Sequence, residues 1–310
     1  MLQSYARACL EADQGEFATS FDREPFGFTH NLHHLDLFES DSLRALAAKY
    51  VQRDYFVASG APEPGSAFYS VAHGRHTPSE AMERLETGSA RVLMKRPENY
   101  DPRFRELLEV LFRQILDMRG GLRGERVLRL DGSILVSSAA TITPFHFDPE
   151  ITFFFQVEGE KNYHLYSPSA ISESELERFY VKGELNIGEL GIDGRDPARE
   201  YVFALRPGIG MHQPQNSPHW VETCRSRSVS YVFSFETDAT RAAGWTRSFN
   251  HYLRKAGMNP APLGTRPSFD AMKAEAMHLI VPARKTIGRT LRGARDRLAG
   301  RRQGQSCELA

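Results

Sequence analysis

The apolar positions of the chain follow two spacings. In the first third they recur every three to four residues. Leu43, Leu46, Ala47 and Tyr50 do so behind Asp41-Ser42, which predicts a capped amphipathic helix. Thr77-Pro78-Ser79-Glu80 opens a second helix, with Ala81, Met82 and Leu85 as its buried side. Phe104 to Met118 is the clearest helix, and its stripe of Leu107, Leu108, Leu111, Phe112 and Ile115 reads as core packing. Ala67 to Val71 and Ala90 to Met94 have strand character.

From Arg126 onwards the spacing shortens to that of strands separated by turns. Val127 to Leu130 and Ile134 to Ser137 flank Asp131-Gly132, a hairpin signal. Ile151 to Val157 and Asn162 to Tyr166 are joined by Glu158-Gly159-Glu160, and Val202 to Leu205 and Ser226 to Phe235 supply the last core strands. Residues 170 to 200 read as an insertion, helix-like over Ser172 to Tyr180 and loop-like through Gly183, Gly188, Gly191 and Gly194. Many short strands with Gly and Pro turns predict a mainly β fold, a sandwich or barrel, with helical elaborations covering one outer face. The expected division is a mixed α/β elaboration over 1–120, a β core over 121–240, and a helical extension with a basic tail over 241–310.

Alternation in the last strand puts Ser226, Ser228, Ser230, Val232 and Ser234 on one face and Val229, Tyr231, Phe233 and Phe235 on the other. A row of small hydroxyls fits a barrel interior that leaves room for a ligand and donates hydrogen bonds to it. An exposed polar face is the alternative.

Composition narrows the picture only slightly. The chain has 310 residues, 41% hydrophobic and 25% charged, which is ordinary for a globular protein. Lys plus Arg equals Asp plus Glu at 39 each, so no whole-protein field recruits nucleic acid or a membrane. Cys9, Cys224 and Cys307 form no C-x-x-C pair and read as free thiols of a reducing compartment. The start of the chain has no apolar signal segment, and no run approaches the ~20 apolar residues of a membrane helix. A cytoplasmic protein is expected.

Candidate chemistry begins at His146-Phe147-Asp148. Residues two apart on a strand share a side, so His146 and Asp148 can ligate one ion while Phe147 packs behind them. A histidine from a distant strand would complete a two-histidine, one-carboxylate facial triad, the arrangement that leaves positions open in non-haem Fe(II) oxygenases. His219, His212 and His164 compete for the third place.

The stretch from Thr143 to Lys161, followed by Tyr163 to Pro168, resembles the JmjC and cupin-like branch of the 2-oxoglutarate-dependent oxygenases. In that family H-x-D leads through a hydrophobic strand into Q-[IV]-x-G-x-K. Gln156, Val157, Gly159 and Lys161 stand at those places, and Pro168 closes the following strand. Arg206 to Pro214 and then Ser217-Pro218-His219-Trp220-Val221-Glu222 resemble the passage that delivers the family's distal histidine. Ile209 departs from the pattern, standing where an acidic residue normally supports the turn.

That resemblance implies a double-stranded β-helix, a cupin-like jelly roll. It implies Fe(II) held by His146, Asp148 and His219 as the catalytic centre, with 2-oxoglutarate as co-substrate and dioxygen as oxidant. Lys161 takes the position that pairs with the distal carboxylate of 2-oxoglutarate, Thr143 that of an assisting hydroxyl, and Thr152 and Ser234 positions at the metal-proximal end. His212 is expected to line the pocket, whereas His164 has the opposite strand parity to Lys161 and Tyr163 and should face away. Phe145, Phe147, Phe153 to Phe155, Tyr163 and Trp220 read as packing and shielding walls.

The implied activity is hydroxylation of an organic or protein substrate, coupled to oxidative decarboxylation of 2-oxoglutarate. A non-catalytic, metal-binding cupin-like regulatory or binding protein is the alternative from another class. A Zn²⁺ hydrolase is a third reading, short of an evident separate general base. Lys161 discriminates, because a metal scaffold has no need of a keto-acid anchor. Separately, Arg284, Lys285, Arg289, Arg292, Arg295, Arg297, Arg301 and Arg302 stand against the single acid Asp296, interspersed with Ile287, Leu291 and Leu298. Such a basic amphipathic stretch predicts contact with an anionic surface or acidic partner, with a solvated helix as the alternative. No helix-turn-helix or zinc-finger pattern is present, so specific nucleic-acid recognition is not expected.

Overall fold

The computed structural model describes residues 7–59, 62–67, 76–85, 88–182, 187–193 and 195–280. The expected strand over 67–71 lies outside them beyond Ala67, as do the basic stretch Arg284 to Arg302 and Cys307. In chain order the strands are β1 (Leu10–Glu11), β2 (Phe26–His30), β3 (Tyr55–Ser59), β4 (Ala90–Lys95), β5 (Val127–Ser137), β6 (Ile142–Phe147) and β7 (Ile151–Glu158). There follow β8 (Lys161–Tyr166), β9 (Gly188–Glu189), β10 (Glu200–Leu205), β11 (Ile209–Gln213), β12 (Pro218–Thr223) and β13 (Ser228–Thr237). The helices are α1 (Gln14–Ser20), α2 (Ser40–Ala47), α3 (Pro78–Glu83), α4 (Pro102–Arg119), α5 (Glu173–Tyr180), α6 (Asp238–Lys255) and α7 (267–280).

Two antiparallel sheets carry the fold, one ordered β1-β2-β11-β7-β13-β5-β4-β3 and the other β10-β8-β12-β6-β9. From β5 the chain crosses between them: β5, β7, β11 and β13 lie in the larger sheet, and β6, β8, β10 and β12 in the smaller. This is a double-stranded β-helix, the mainly β jelly roll that the strand pattern predicts. Strand β7 shows how one sequence serves two cores. Phe153, Phe155 and Val157 join Val229, Tyr231, Phe233 and Phe235 in a buried cluster with Phe104, Leu107, Leu108, Leu111 and Ile115 of α4. Phe154 takes the opposite face and packs between the sheets with Tyr163, Leu165, Leu205, Met211, Val221 and Val232. Each such side chain stabilises the fold by roughly 1.5–3 kcal/mol relative to exposure.

One helix signal acts as the sequence predicts and one does not: α2 begins at Ser40, so Asp41 and Ser42 lie inside it, and Glu39 at its N-cap makes no side-chain cap bond. Thr77 forms a reciprocal capping box with Glu80 at the start of α3. Asp101 caps α4 with Pro102 in its first turn, and Gly120 ends it in the left-handed conformation.

The expected hairpin at Asp131-Gly132 does not form, because both residues lie inside the single strand β5. Gly132 pairs with Phe233 across the sheet and its N–H donates to Glu98 Oε1 at 3.2 Å. A Cβ here would stand 2.8 Å from Glu98 Oε2 and 3.1 Å from the Tyr231 hydroxyl, so the glycine serves close approach rather than a turn. Ladder bonds from β13 and β4 on either side outweigh a local turn preference.

The chain falls into two compact units, Met1–Ser172 with Asn186–Asp238, and Glu173–Leu185 with Ala239–Ala310. The first holds both sheets. Within the second, Arg247 pairs with Glu173 at 3.1 Å and Arg254 with the buried Glu177 at 2.9 Å, joining α6 to α5. The Thr246 hydroxyl donates to the Asp270 carbonyl on α7 at 3.0 Å. Among the described residues no helix is long and apolar enough to cross a membrane.

Candidate active site

Strand β6 carries His146 near its end, and Asp148 follows immediately after the strand. On the neighbouring β12, His219 stands directly opposite His146 in the ladder. A register shift between His219 and Val221 loosens the pairing just beyond it. The two imidazole centroids are 4.1 Å apart. His146 Nε2 lies 3.8 Å from Asp148 Oδ1, and His219 Nε2 lies 3.7 Å from Asp148 Oδ2. One ligand atom from each of the three residues falls within 4.8 Å of the others, the spread of a single-ion site.

Each histidine is held in one tautomer. His146 Nδ1 is 2.7 Å from the Pro144 carbonyl and His219 Nδ1 is 3.0 Å from the Ser217 carbonyl. A carbonyl oxygen only accepts, so Nδ1 carries the proton and donates in both rings, leaving each Nε2 lone pair for the shared point. Burial, followed by the neighbouring His219, lowers the pKa of His146 to about 3, and burial lowers that of His219. Both rings are therefore neutral at physiological pH, the form that ligates a metal. Donor set, tautomers and spacing fit an ion with three protein ligands.

The carboxylate is oriented from β11. Gln213 Nε2 donates to Asp148 Oδ2 at 3.4 Å while its Oε1 accepts from the Tyr163 hydroxyl at 2.7 Å. The Asn216 N–H donates to the Asp148 carbonyl at 2.9 Å. Tyr163 also stacks on His219, with centroids 5.3 Å apart.

Lys161 opens β8 and is only 3% exposed. Its Nζ lies 5.5 Å from the centre of the Phe154 ring. Among the described residues no carboxylate pairs with it. Burial, and after it the Arg91 charge, pushes its pKa down to about 7. Gly159, two residues earlier, has φ +68°, and a Cβ on it would come within 2.1 Å of the Arg227 carbonyl. The turn that aims Lys161 inwards thus requires glycine.

Thr143 accepts a hydrogen bond from Arg91 Nη1 at 2.6 Å. The Thr152 and Ser234 hydroxyls, opposite each other on β7 and β13, are 2.9 Å apart. Ser228 and Ser230 are buried on the face that also holds Val232, as the alternation predicts, but Gln156 occupies their hydroxyls at 2.8 Å each. Ser226 lies before β13 and is exposed.

His212 does not line this site. On β11 the residues Met211 and Gln213 face between the sheets, so His212 faces the opposite side. There it stacks 5.3 Å from Phe21, its Nε2 accepts from the Asp22 N–H at 3.0 Å, and its Nδ1 donates to the Thr152 carbonyl at 3.2 Å. His164 faces away as parity predicts, stacked on Trp220 with centroids 3.7 Å apart. Trp220 is thereby placed with His164 and not in a wall of the site. Ile209, in the acidic residue's place, packs against the inner cluster, and its N–H closes the turn onto the Arg206 carbonyl at 2.9 Å.

Two contributors are additions to the sequence-based set. Gln213 could have been found from its parity with Met211. Arg91 left a plainer signal, a lone cation in the apolar strand Ala90-Arg-Val-Leu-Met.

No protein-family profile and no curated protein matches the chain. Solved structures do. Escherichia coli YcfD superimposes with a TM-score of 0.52 at 18% identity, covering 88% of this chain and 68% of that one. A structure of YcfD, a ribosomal oxygenase, in complex with cobalt and 2-oxoglutarate gives a TM-score of 0.52 at 18% identity, over 89% of this chain and 68% of that one. Its complex with cobalt and succinic acid gives 0.50 over the same shares. At this identity the likeness concerns the fold. The chain has the double-stranded β-helix fold shared by the JmjC and cupin-like oxygenases.

Proposed function

We propose that the chain is an Fe(II)- and 2-oxoglutarate-dependent oxygenase of the hydroxylase type. The observation that carries this reading is the coexistence, between the same two sheets, of a His146–Asp148–His219 donor set whose imidazoles are neutral and a buried Lys161 with no acid partner among the described residues. A buried cation without a counter-charge is costly, and a bound carboxylate removes the cost. A metal-binding cupin-like protein without co-substrate needs the triad but gains nothing from Lys161.

In this reading His146 Nε2, His219 Nε2 and an Asp148 oxygen hold the iron. When bound, the metal supplies the redox centre at which 2-oxoglutarate and dioxygen react. The chain's own work is alignment. The Pro144 and Ser217 carbonyls fix the imidazole protons at Nδ1, and Gln213 with Tyr163 fixes the carboxylate. Lys161 fixes the far end of the co-substrate, Thr143 assists it, and Thr152 and Ser234 stand at the metal-proximal end. Phe154 and Tyr163 keep water from the ammonium and the imidazoles.

A protein side chain is the first substrate class to test, given the shared fold with a ribosomal oxygenase. A cytoplasmic setting suits the free thiols of Cys9 and Cys224.

Anaerobic titration with Fe(II) and 2-oxoglutarate is expected to produce a visible charge-transfer absorption that requires both. If neither the absorption nor aerobic conversion of 2-oxoglutarate to succinate is seen, the binding-protein reading takes over. A second expectation concerns the carboxylate's support: Gln213→Leu should weaken Fe(II) or Mn(II) binding about tenfold with stoichiometry unchanged, since outer-shell partners typically contribute 10–100-fold. Calorimetric titration would show it, and an unchanged affinity would mean that the Gln213 contact does not orient the Asp148 carboxylate.

A further inference from the structure

Arg91 is a second cation buried in the same region, at 8% exposure. It sits on β4 of the larger sheet, yet its Nη1 donates to Thr143 Oγ1 at 2.6 Å and to the Ile142 carbonyl at 3.0 Å on β6 of the smaller. Those two bonds bridge the sheets and set the plane of the guanidinium fork. The arginine's charge also reaches Lys161, disfavouring its protonated form. Thr143 stands where the resemblance places the co-substrate's hydroxyl partner, so its bond to Nη1 holds the guanidinium at that end of the pocket.

We infer that Arg91 anchors the co-substrate in its own right, forming with Lys161 a two-cation clamp for the distal carboxylate of a 2-oxo dicarboxylic acid, with Thr143 as its hydroxyl partner. The inference rests on the oxygenase reading and specifies the ligand class that the pocket selects. Arginine holds its charge at any physiological pH, whereas Lys161, with its pKa near 7, carries only part of its charge before the anion arrives. Arg91 therefore supplies the permanent attraction, and Lys161 completes the pair as it takes up a proton.

The test compares two ligands of equal length. The full chain loaded with Mn(II) is titrated calorimetrically with 2-oxoglutarate and with 2-oxopentanoate, which lacks the distal carboxylate. Wild type is expected to prefer 2-oxoglutarate. Arg91→Met should weaken 2-oxoglutarate about ten- to hundredfold, the range of a charge-assisted contact, and leave 2-oxopentanoate within twofold. Arg91→Gln keeps a donor for Thr143 without the charge and guards against a folding defect in the methionine variant. It should show the same loss, together with an upward shift in the pH range over which 2-oxoglutarate binds.

Equal loss of both ligands, or an unmoved pH profile in Arg91→Gln, would reduce Arg91 to a structural brace and overturn the inference while the oxygenase reading stands. Unchanged 2-oxoglutarate affinity in both variants would overturn it likewise. If wild type binds neither keto acid, the oxygenase reading itself fails and takes the anchor with it.

Discussion

His146→Ala and Asp148→Ala are expected to lose Fe(II) binding by at least about a hundredfold each, or ~2.7 kcal/mol, while the chain remains folded. The size follows from the geometry. Each residue supplies one of three donors, and those that remain cannot move to replace it, because the imidazoles are tied to the Pro144 and Ser217 carbonyls and the carboxylate to Gln213. Folding should survive, because the surrounding cores are built from other side chains and Asp148 is only part-buried. Asp148→Asn keeps the shape and removes the charge, and should lie between wild type and the alanine variant. Calorimetry with Mn(II), metal analysis after desalting and circular dichroism together settle the matter. Unchanged stoichiometry and affinity in both alanine variants would sink the assignment of the metal centre.

The second large effect is at Lys161. Lys161→Ala should raise the Kd for 2-oxoglutarate about ten- to hundredfold and leave metal affinity within twofold, because it removes one charge-assisted contact of ~1.5–3 kcal/mol at the far end of the pocket. A pH dependence accompanies it. The ammonium is the form that holds a carboxylate, and burial with Arg91 nearby has brought its pKa from 10.5 down to about 7 in the free protein. A bound carboxylate raises that pKa again. Below pH 7 the lysine is already charged and affinity is flat. Above it binding must take up a proton, so affinity falls by up to about tenfold per pH unit until the pKa of the complex is reached. Lys161→Ala should abolish this slope. A wild-type Kd that stays constant from pH 6 to pH 9 would show that Lys161 does not meet the carboxylate.

Much of this site was legible because strand parity is local. A two-residue period suffices to turn Lys161 and Tyr163 to one side and His164 to the other, and to separate Phe154 from Phe153 and Phe155. The start of α3 was readable for a similar reason, since a capping box acts within four residues. The same locality misled at Asp131-Gly132, where the turn chemistry is real but two neighbouring strands hold the backbone extended. It misled at His212 as well. The residue stands close to the distal histidine in sequence, but β11 turns Met211 and Gln213 inwards and leaves His212 to Phe21 and Asp22.

The sequence by itself determined a jelly roll with two kinds of core face, three metal-ligand candidates and a candidate keto-acid anchor. Each is a property of residue type and short-range period, or of a motif resemblance built on them. Only the tertiary structure decided that His219 rather than His212 or His164 stands opposite His146, because pairing register between distant strands is fixed by the packing of whole sheets and leaves no mark in a short window. The same limit hid the neutral tautomers, which depend on where two carbonyls point, and Arg91, whose guanidinium crosses from one sheet to a threonine on the other. Electrostatic environment is a sum over neighbours in space, and those neighbours exist only once the chain has folded.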